Sequence, residues 1–503
     1  MFLIFFIFSL TLNANKNINT LSFALYQEPI SLDPLLTYDE YTFNVTSNLY
    51  EPLIKATSSG KILPALAESW QIKDNKIIFK LRNAYWSDGS LIKIEDIYAS
   101  FKRILTASND SKSAHLLYVI KGAERFHKNI EKSFKKVGIK ILSNKEIEFE
   151  FLYKNENMIE TLAAPLAFVS FAPVKKELIE EAYFGQSVFA FSGPFKLKSW
   201  SHGDEILLER NEYYYENKIL ENRIQEIKCI IVRDEFASIN LFKNGFLDFV
   251  PNLSMDSMEN ARKLNLNIKT FDKIALFFLN FNCEKVDKSL RKLISMTIQR
   301  DSICNKILKD GSEPAYSLVP KEFPGYESEK LFFESISKNE INKKLKLICG
   351  TDYLSQKIAQ YLQEFLYFKL SIIVEIVSLN SILKVESLQK GDFDVSLNSW
   401  IADYFGPPFT FFEILKKDSS SNLSFWFHEK YEELYNKALE SYYMNDKYKN
   451  LKEIEKFIFS GEFPIAPLFF MKGHYILNEN IKGVTRGVSS RNPDFTYSFK
   501  TTK

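Results

Sequence analysis

The residues able to do chemistry are few and scattered. His115, His127, His202, His428 and His474 share no spacing that would place two of them on one helix face. Cys229, Cys283, Cys304 and Cys349 form neither a Cys-x-x-Cys nor a Cys-x-x-His pattern, so the usual zinc and redox motifs are missing. The chain also lacks a His-Glu-x-x-His helix, a Gly-x-Ser-x-Gly elbow, a phosphate-cradling P-loop and a Gly-x-Gly-x-x-Gly turn, which removes support for common hydrolase and nucleotide chemistry. Glu146, Glu148 and Glu150 alternate with Ile147, Phe149 and Phe151. That period of two puts three carboxylates on one face of a strand, a pattern expected of a solvated sheet face rather than an acid–base pair. Asp403 stands just ahead of Gly406-Pro407-Pro408, and its local sequence alone reads as a turn. The expectation is a protein that binds rather than catalyses, with no cofactor and no metal. Cysteine spacing selects no disulfide pair, and buried free thiols acting as small apolar groups are expected.

The elements that would position these residues are strands and helices in alternation. Lys76 to Leu81 has apolar residues at 77, 79 and 81 after the Asp74-Asn75 turn pair, which predicts a half-buried strand. Leu345 to Ile348 predicts a strand, Leu354, Ile358, Tyr361, Leu362, Phe365 and Leu366 recur at helical spacing, and Ser371 to Val377 is strand-like again, giving a β-α-β unit. Asp234 to Lys243 reads as a helix closed by Gly245, with a strand over Leu247 to Val250. Asp301 is placed to cap a helix carrying Ile303, Ile307 and Leu308. No repeat of 20 to 50 residues appears, so solenoids and propellers are not supported.

Bulk properties bound the reading. A chain of 503 residues exceeds what one core supports, so two or three domains are expected. Lys and Arg number 65 against 63 acidic residues, which leaves no overall basic field to hold nucleic acid. Phe2 to Leu12 is an apolar run interrupted only by Ser9 and Thr11. Its length suits a secretory h-region rather than a membrane span, although no Lys or Arg precedes it. Residues 1–19 are therefore expected to be a signal region. With no cysteine near it, a soluble exported form is expected rather than a lipoprotein.

Short blocks in a fixed order add a resemblance. They begin with Glu28-Pro29-Ile30-Ser31-Leu32-Asp33-Pro34, Leu49-Tyr50-Glu51-Pro52-Leu53 and Pro64-Ala65-Leu66-Ala67-Glu68-Ser69-Trp70. The most specific runs from Phe79-Lys80-Leu81-Arg82-Asn83-Ala84-Tyr85-Trp86-Ser87-Asp88-Gly89-Ser90 through Ile94-Glu95-Asp96 to Ser100-Phe101-Lys102-Arg103. Ser192-Gly193-Pro194-Phe195, Asn244-Gly245-Phe246-Leu247-Asp248, Leu290-Arg291-Lys292, Asp392-Phe393-Asp394-Val395, Trp400-Ile401-Ala402-Asp403-Tyr404 and Phe463-Pro464-Ile465-Ala466-Pro467 follow. In this order the chain resembles the extracellular solute-binding proteins of family 5, which serve peptide and nickel ABC transporters, and within them the oligopeptide-binding branch.

The resemblance implies an α/β, two-lobed periplasmic-binding-protein fold of the Venus-flytrap kind (class II, cluster C) with an extra inserted α+β domain. Lobe I would comprise residues 20–56, 189–272 and 482–503, the inserted domain 57–188 and the far lobe 273–481, with two crossing strands as hinge. It implies a monomer in the periplasm that encloses a short peptide, murein-derived peptides among them, and delivers it to permease subunits of an ABC importer in the inner membrane. The alternative is the same fold closing on a nickel chelate, haem or another small solute, with a signalling receptor or a peptidase ranked behind it. The ligand backbone would lie extended between the loop Asp39-Glu40-Tyr41 and the stretch Ser399-Trp400-Ile401. Asp403, with Tyr404 beside it, matches the carboxylate that pairs with the peptide ammonium, and Trp400 would wall a side-chain pocket or serve as core. The family's basic residues for the ligand carboxylate are replaced by Leu397, Leu388 and Ser355. Lys390 is a candidate substitute or a solvated turn lysine. The family's disulfide positions hold Ile274 and Ile401.

Overall fold

A computed structural model describes residues 19–36, 39–57, 60–109, 111, 113–154, 156–163, 171–178, 190–323, 325–328, 341–402, 406–486 and 493–501. A single 11-stranded mixed sheet runs through both lobes. Its order is Ile373–Leu379, Lys344–Gly350, Val395–Ile401, Ile268–Phe281, Ile465–Leu477, Phe249–Val250, Thr20–Leu25, Glu226–Ile231, Glu205–Arg210 and Phe195–Ser201, with the eleventh strand, Glu313–Pro314, pairing off this path with Ile465–Leu477. The two longest strands, Ile268–Phe281 with 14 residues and Ile465–Leu477 with 13, stand side by side in the middle of this order. Their pairing is regular from Ile268↔Ile476 to Asp272↔Lys472, slips, and resumes at Leu276↔Phe470. Ile274 sits in that slip at φ 48°, a left-handed conformation that a β-branched residue adopts only when its surroundings impose it.

The β-α-β unit expected around residue 350 is present. Strand Lys344–Gly350, helix Tyr353–Leu370 and strand Ile373–Leu379 follow one another, the helix capped by Asp352 at Ser355 N, 2.9 Å. Helix Glu235–Lys243 begins on Asp234 and ends before Gly245, whose φ of 80° suits a residue without a Cβ. The expected cap at Asp301 is corrected: Gln299 precedes a short helix, Arg300–Ser302, which widens into a π-helical stretch over Ile303–Leu308. Asp301 instead accepts a hydrogen bond from Tyr316 Oη at 2.6 Å.

A separate four-stranded antiparallel sheet holds Ala67–Lys73, Lys76–Leu81, Glu146–Glu150 and Ile139–Ile141. Ile77, Phe79 and Leu81 are buried in its core together with Ile147 and Phe149. The carboxylate face of its third strand is less solvated than expected. Glu148 is buried and pairs with Lys76 Nζ at 2.9 Å, and Glu150 pairs with Lys121 at 2.6 Å. Lys76 on the neighbouring strand and Lys121 on a turn neutralise these glutamates, so they are covered without isolating a charge.

Several sequence blocks are joints between segments. Arg103 grips Asp33 with both guanidinium nitrogens, and both side chains are buried. Ser192 Oγ accepts from Glu51 N at 2.9 Å, and Gly193 N donates to Leu49 O at 2.8 Å. A Cβ at Gly193 would lie 2.6 Å from the Leu49 carbonyl carbon, so only glycine fits. Asp248, buried, accepts from Ser22 N and Lys500 Nζ, both at 3.1 Å. None of the four cysteines is disulfide-bonded, and Cys229, Cys304 and Cys349 are buried. No helix among the described residues is long and apolar enough to cross a membrane.

Candidate functional site

The strand Val395–Ile401 supplies one wall of the site. It pairs antiparallel with the hinge strand from Phe281↔Val395 to Ala275↔Ile401. Asn282 N donates to Asp394 O at 2.9 Å and Ala402 N donates to Ile274 O at 3.0 Å. Alternation along an antiparallel pair then turns the N–H and C=O groups of Leu397, Ser399 and Ile401 to the other side. On that side strand Lys344–Gly350 pairs only at Val395 and Ser396. Beyond Ser396 no strand among the described residues covers the edge, and Ser399 is exposed. Trp400 is half-buried, donates from Nε1 to Thr410 Oγ1 at 3.0 Å and packs on the far-lobe core. Of the two expectations for Trp400, the structure shows the core contact.

The stretch Asp39-Glu40-Tyr41 is not a loop. Asp39 is the N-cap of helix Glu40–Leu49, accepting from Thr42 N at 2.9 Å and Thr42 Oγ1 at 2.6 Å. Capping by Asp39 draws Glu40 and Tyr41 into the first helical turn, so their backbone has helical rather than strand geometry. Asn252 Nδ2 donates to Glu40, and the Tyr41 ring meets Tyr26 edge-on at 6.3 Å. Burial, reinforced by the charges of Glu40, Glu235 and Asp39, holds the Tyr41 phenol above its ordinary pKa. No hydrogen bond or ring contact among the described residues joins this stretch to Ser399-Trp400-Ile401. Asp403 and Tyr404 lie outside the described residues.

The segment that follows strand Glu146–Glu150 touches residues 406 and 442–444. Met444 N donates to Glu156 Oε2 at 2.9 Å, and Lys154 Nζ lies 5.5 Å from the Tyr442 ring centre. A Cβ built on Gly406 would stand 3.3 Å from Asn157 Nδ2 and 3.5 Å from Glu160 Cβ. Desolvation raises the pKa of Glu160.

The positions expected to have lost basic side chains are accounted for. Leu397 and Leu388 are buried in apolar clusters, and Ser355 is buried beside the Asp352 cap. Lys390 pairs with Glu386 at 2.6 Å on the surface, the solvated alternative. A different lysine faces the open edge. Lys384, on helix Ser381–Gln389, donates from Nζ to Leu397 O at 2.6 Å and is partly buried. The sequence reading missed it. One signal was available, since Lys384 stands one turn before Leu388, and the two share the inward face of the helix. Ile382, Leu383 and Val385 are instead exposed, which reverses the usual amphipathic pattern and hides the lysine from a hydrophobicity count.

Comparison with known proteins agrees with this architecture. Residues 61–422 match the family model of bacterial extracellular solute-binding proteins, family 5. The dipeptide-binding protein DppE of Bacillus subtilis is 25% identical over 492 residues, covering 91% of this chain and 88% of its own. The periplasmic murein peptide-binding protein MppA of Escherichia coli is 25% identical over 499 residues, covering 94% and 90%. Among solved structures, that of the Escherichia coli murein tripeptide binding protein superposes with a TM-score of 0.81 at 21% identity, covering 96% of this chain and 99% of that one. A periplasmic oligopeptide-binding protein of Borrelia burgdorferi gives 0.79 at 24%, covering 96% and 100%. These structural likenesses concern the fold.

Proposed function

Because the chain belongs to the bacterial extracellular solute-binding proteins of family 5, we propose that it captures short peptides between its lobes and hands them to the permease of an ABC importer. The observation that supports a peptide over another solute is the outward edge of Ser399 and Ile401, which no strand among the described residues pairs. Such an edge offers alternating donors and acceptors to an extended backbone, whatever its side chains. Relatives named for dipeptides, oligopeptides and murein peptides support the same class. The protein acts as a receptor and not as an enzyme, works as a periplasmic monomer, and loses residues 1–19 on export. Residues 20–56, 189–272 and 482–503 act as one lobe, 57–188 as the insert and 273–481 as the other lobe. The contacts from Glu156 to Met444 and across Gly406 suit an insert that shields the closed site from water.

Asp403 holds the ligand's ammonium in this reading, because a charge enclosed by lobe closure needs a partner. Titration calorimetry with trialanine and its N-acetyl derivative tests it. Acetylation and, separately, Asp403→Asn should each weaken binding at least about tenfold, the low end for losing one member of an enclosed charge pair. Equal affinity for the free and acetylated peptides would refute the anchor, and absence of binding to any peptide would refute the class. Mass spectrometry should recover the ligand uncleaved.

A further inference from the structure

We propose, resting on the division into lobes given above, that Glu156 is a latch: it ties the insert to the far lobe and holds the protein closed even without ligand.

The insert is anchored on one side and touched on the other. Toward lobe I it is held by the buried pair of Arg103 with Asp33. Ser87 N also donates to Phe191 O at 2.9 Å, Phe191 N donates to Ser87 Oγ at 3.0 Å, and the Arg82 guanidinium stands 4.0 Å from the centre of the Tyr215 ring. An insert fixed in this way rides with lobe I. Toward the far lobe, Glu156 makes two hydrogen bonds that run in opposite directions: its Oε2 accepts from Met444 N at 2.9 Å, and its own N–H donates to Tyr442 O at 3.4 Å. Glu156, Tyr442 and Tyr443 are all exposed.

The first of these bonds caps a helix. Tyr443, the N-cap of helix Met444–Phe457, makes no side-chain capping bond, so an N–H at the start of that helix needs an acceptor from elsewhere. Glu156 supplies it from 288 residues away, and its carboxylate also meets the positive end of the helix dipole. A cap borrowed from another domain exists only while the two domains are together. Lys154, whose ammonium lies 5.5 Å from the centre of the Tyr442 ring, adds a cation–π attraction at the same joint, and the charge of Glu160 reaches Tyr448 on the same helix.

The strength of this joint suits a reversible contact. Its bonded groups compete with water, and losing a helix cap shifts an equilibrium about fivefold, the equivalent of about 1 kcal/mol. A contact of that size tilts the balance between open and closed forms without deciding it. None of its members lies on strand Val395–Ile401, so the latch acts whether or not that edge is occupied.

Spin labels on Lys132→Cys in the insert and Lys449→Cys in the far lobe, both exposed positions, report closure of the ligand-free protein as a distance. The native protein should populate a short distance, and Glu156→Ala should shift the population toward a longer one about fivefold. Met444→Pro deletes the N–H that Glu156 accepts, at the first helical position, where proline is favoured, and after Tyr443, whose φ of −80° and ψ of 140° suit a residue before proline. It should shift the population equally, and the double variant should go no further. The same distances in all four proteins, a native protein wholly at the long distance, or single effects that add in the double variant would each overturn the latch. Release of trialanine, followed by stopped flow, should quicken about fivefold in each variant. If trialanine binds but neither distance nor release responds, the latch falls and the peptide reading stands. If the distances respond and no peptide binds, the latch stands and the peptide reading falls.

Discussion

Lys447 lies under the site loop, with its ammonium 5.8 Å from the centre of the Phe409 ring that follows Gly406-Pro407-Pro408. It is 2% exposed and, among the described residues, donates only to the carbonyls of Leu439 at 3.0 Å and Ala438 at 3.4 Å, at the end of helix Glu429–Glu440. Desolvation without an anion brings its pKa down to about 8. Below pH 8 the lysine is protonated in both folded and unfolded chains, and the folded state bears the full cost of the buried charge. Between about 8 and the unfolded value near 10.4 the unfolded chain binds more protons, so the stability of the native protein rises with pH. The fall from the unfolded value to about 8 corresponds to about 3 kcal/mol. Lys447→Met removes that cost along with two hydrogen bonds worth about 1 kcal/mol each. The variant should be about 1 kcal/mol more stable than the native protein at pH 7 and about 2 kcal/mol less stable above pH 10. Urea unfolding at pH 7, 8, 9 and 10 measures the difference between the two proteins, which cancels titrations they share. A difference that stays constant within about 0.5 kcal/mol across this range would refute the reasoning.

Two further outcomes follow from buried groups. Arg103→Met should cost about 3 to 5 kcal/mol by taking the guanidinium away from the buried Asp33 carboxylate; combining it with Asp33→Leu should recover part of the loss, and thermal unfolding of the three variants measures both. Burial pushes the thiols of Cys283 and Cys304 up to about 12 and raises those of Cys229 and Cys349. At pH 8 the native protein should therefore react slowly with a thiol-disulfide reagent and in denaturant should release all four thiols; prompt native reaction at any site would contradict the burial.

Local pattern and chain order made most of the scaffold legible. Lys76 to Leu81 and helix Tyr353–Leu370 were readable because each buries one face, which imposes its period on the sequence. The ordered blocks were readable for another reason. Asp33 with Arg103, and Leu49 with Gly193, are contacts between segments far apart in the chain, so their residue types are set by a partner rather than by local periodicity. Errors arose where tertiary surroundings overrode local chemistry. Asp301 looked like a cap but is drawn to Tyr316, and Asp39 looked like part of a loop but starts a helix. Glu148 looked solvated, and its partner lies on the neighbouring strand at Lys76, which only pairing register reveals. The site itself was half legible. Ser399, Trp400 and Ile401 came from a motif, whereas the open edge they form depends on how far strand Lys344–Gly350 runs beside them.

That open edge has a cost as well as a use. An unpaired strand edge invites any extended chain, including another copy of the same protein, and a lysine placed on such an edge is a common way to prevent it. Lys384 satisfies that description, since its Leu397 contact occupies the edge two residues from Ser399.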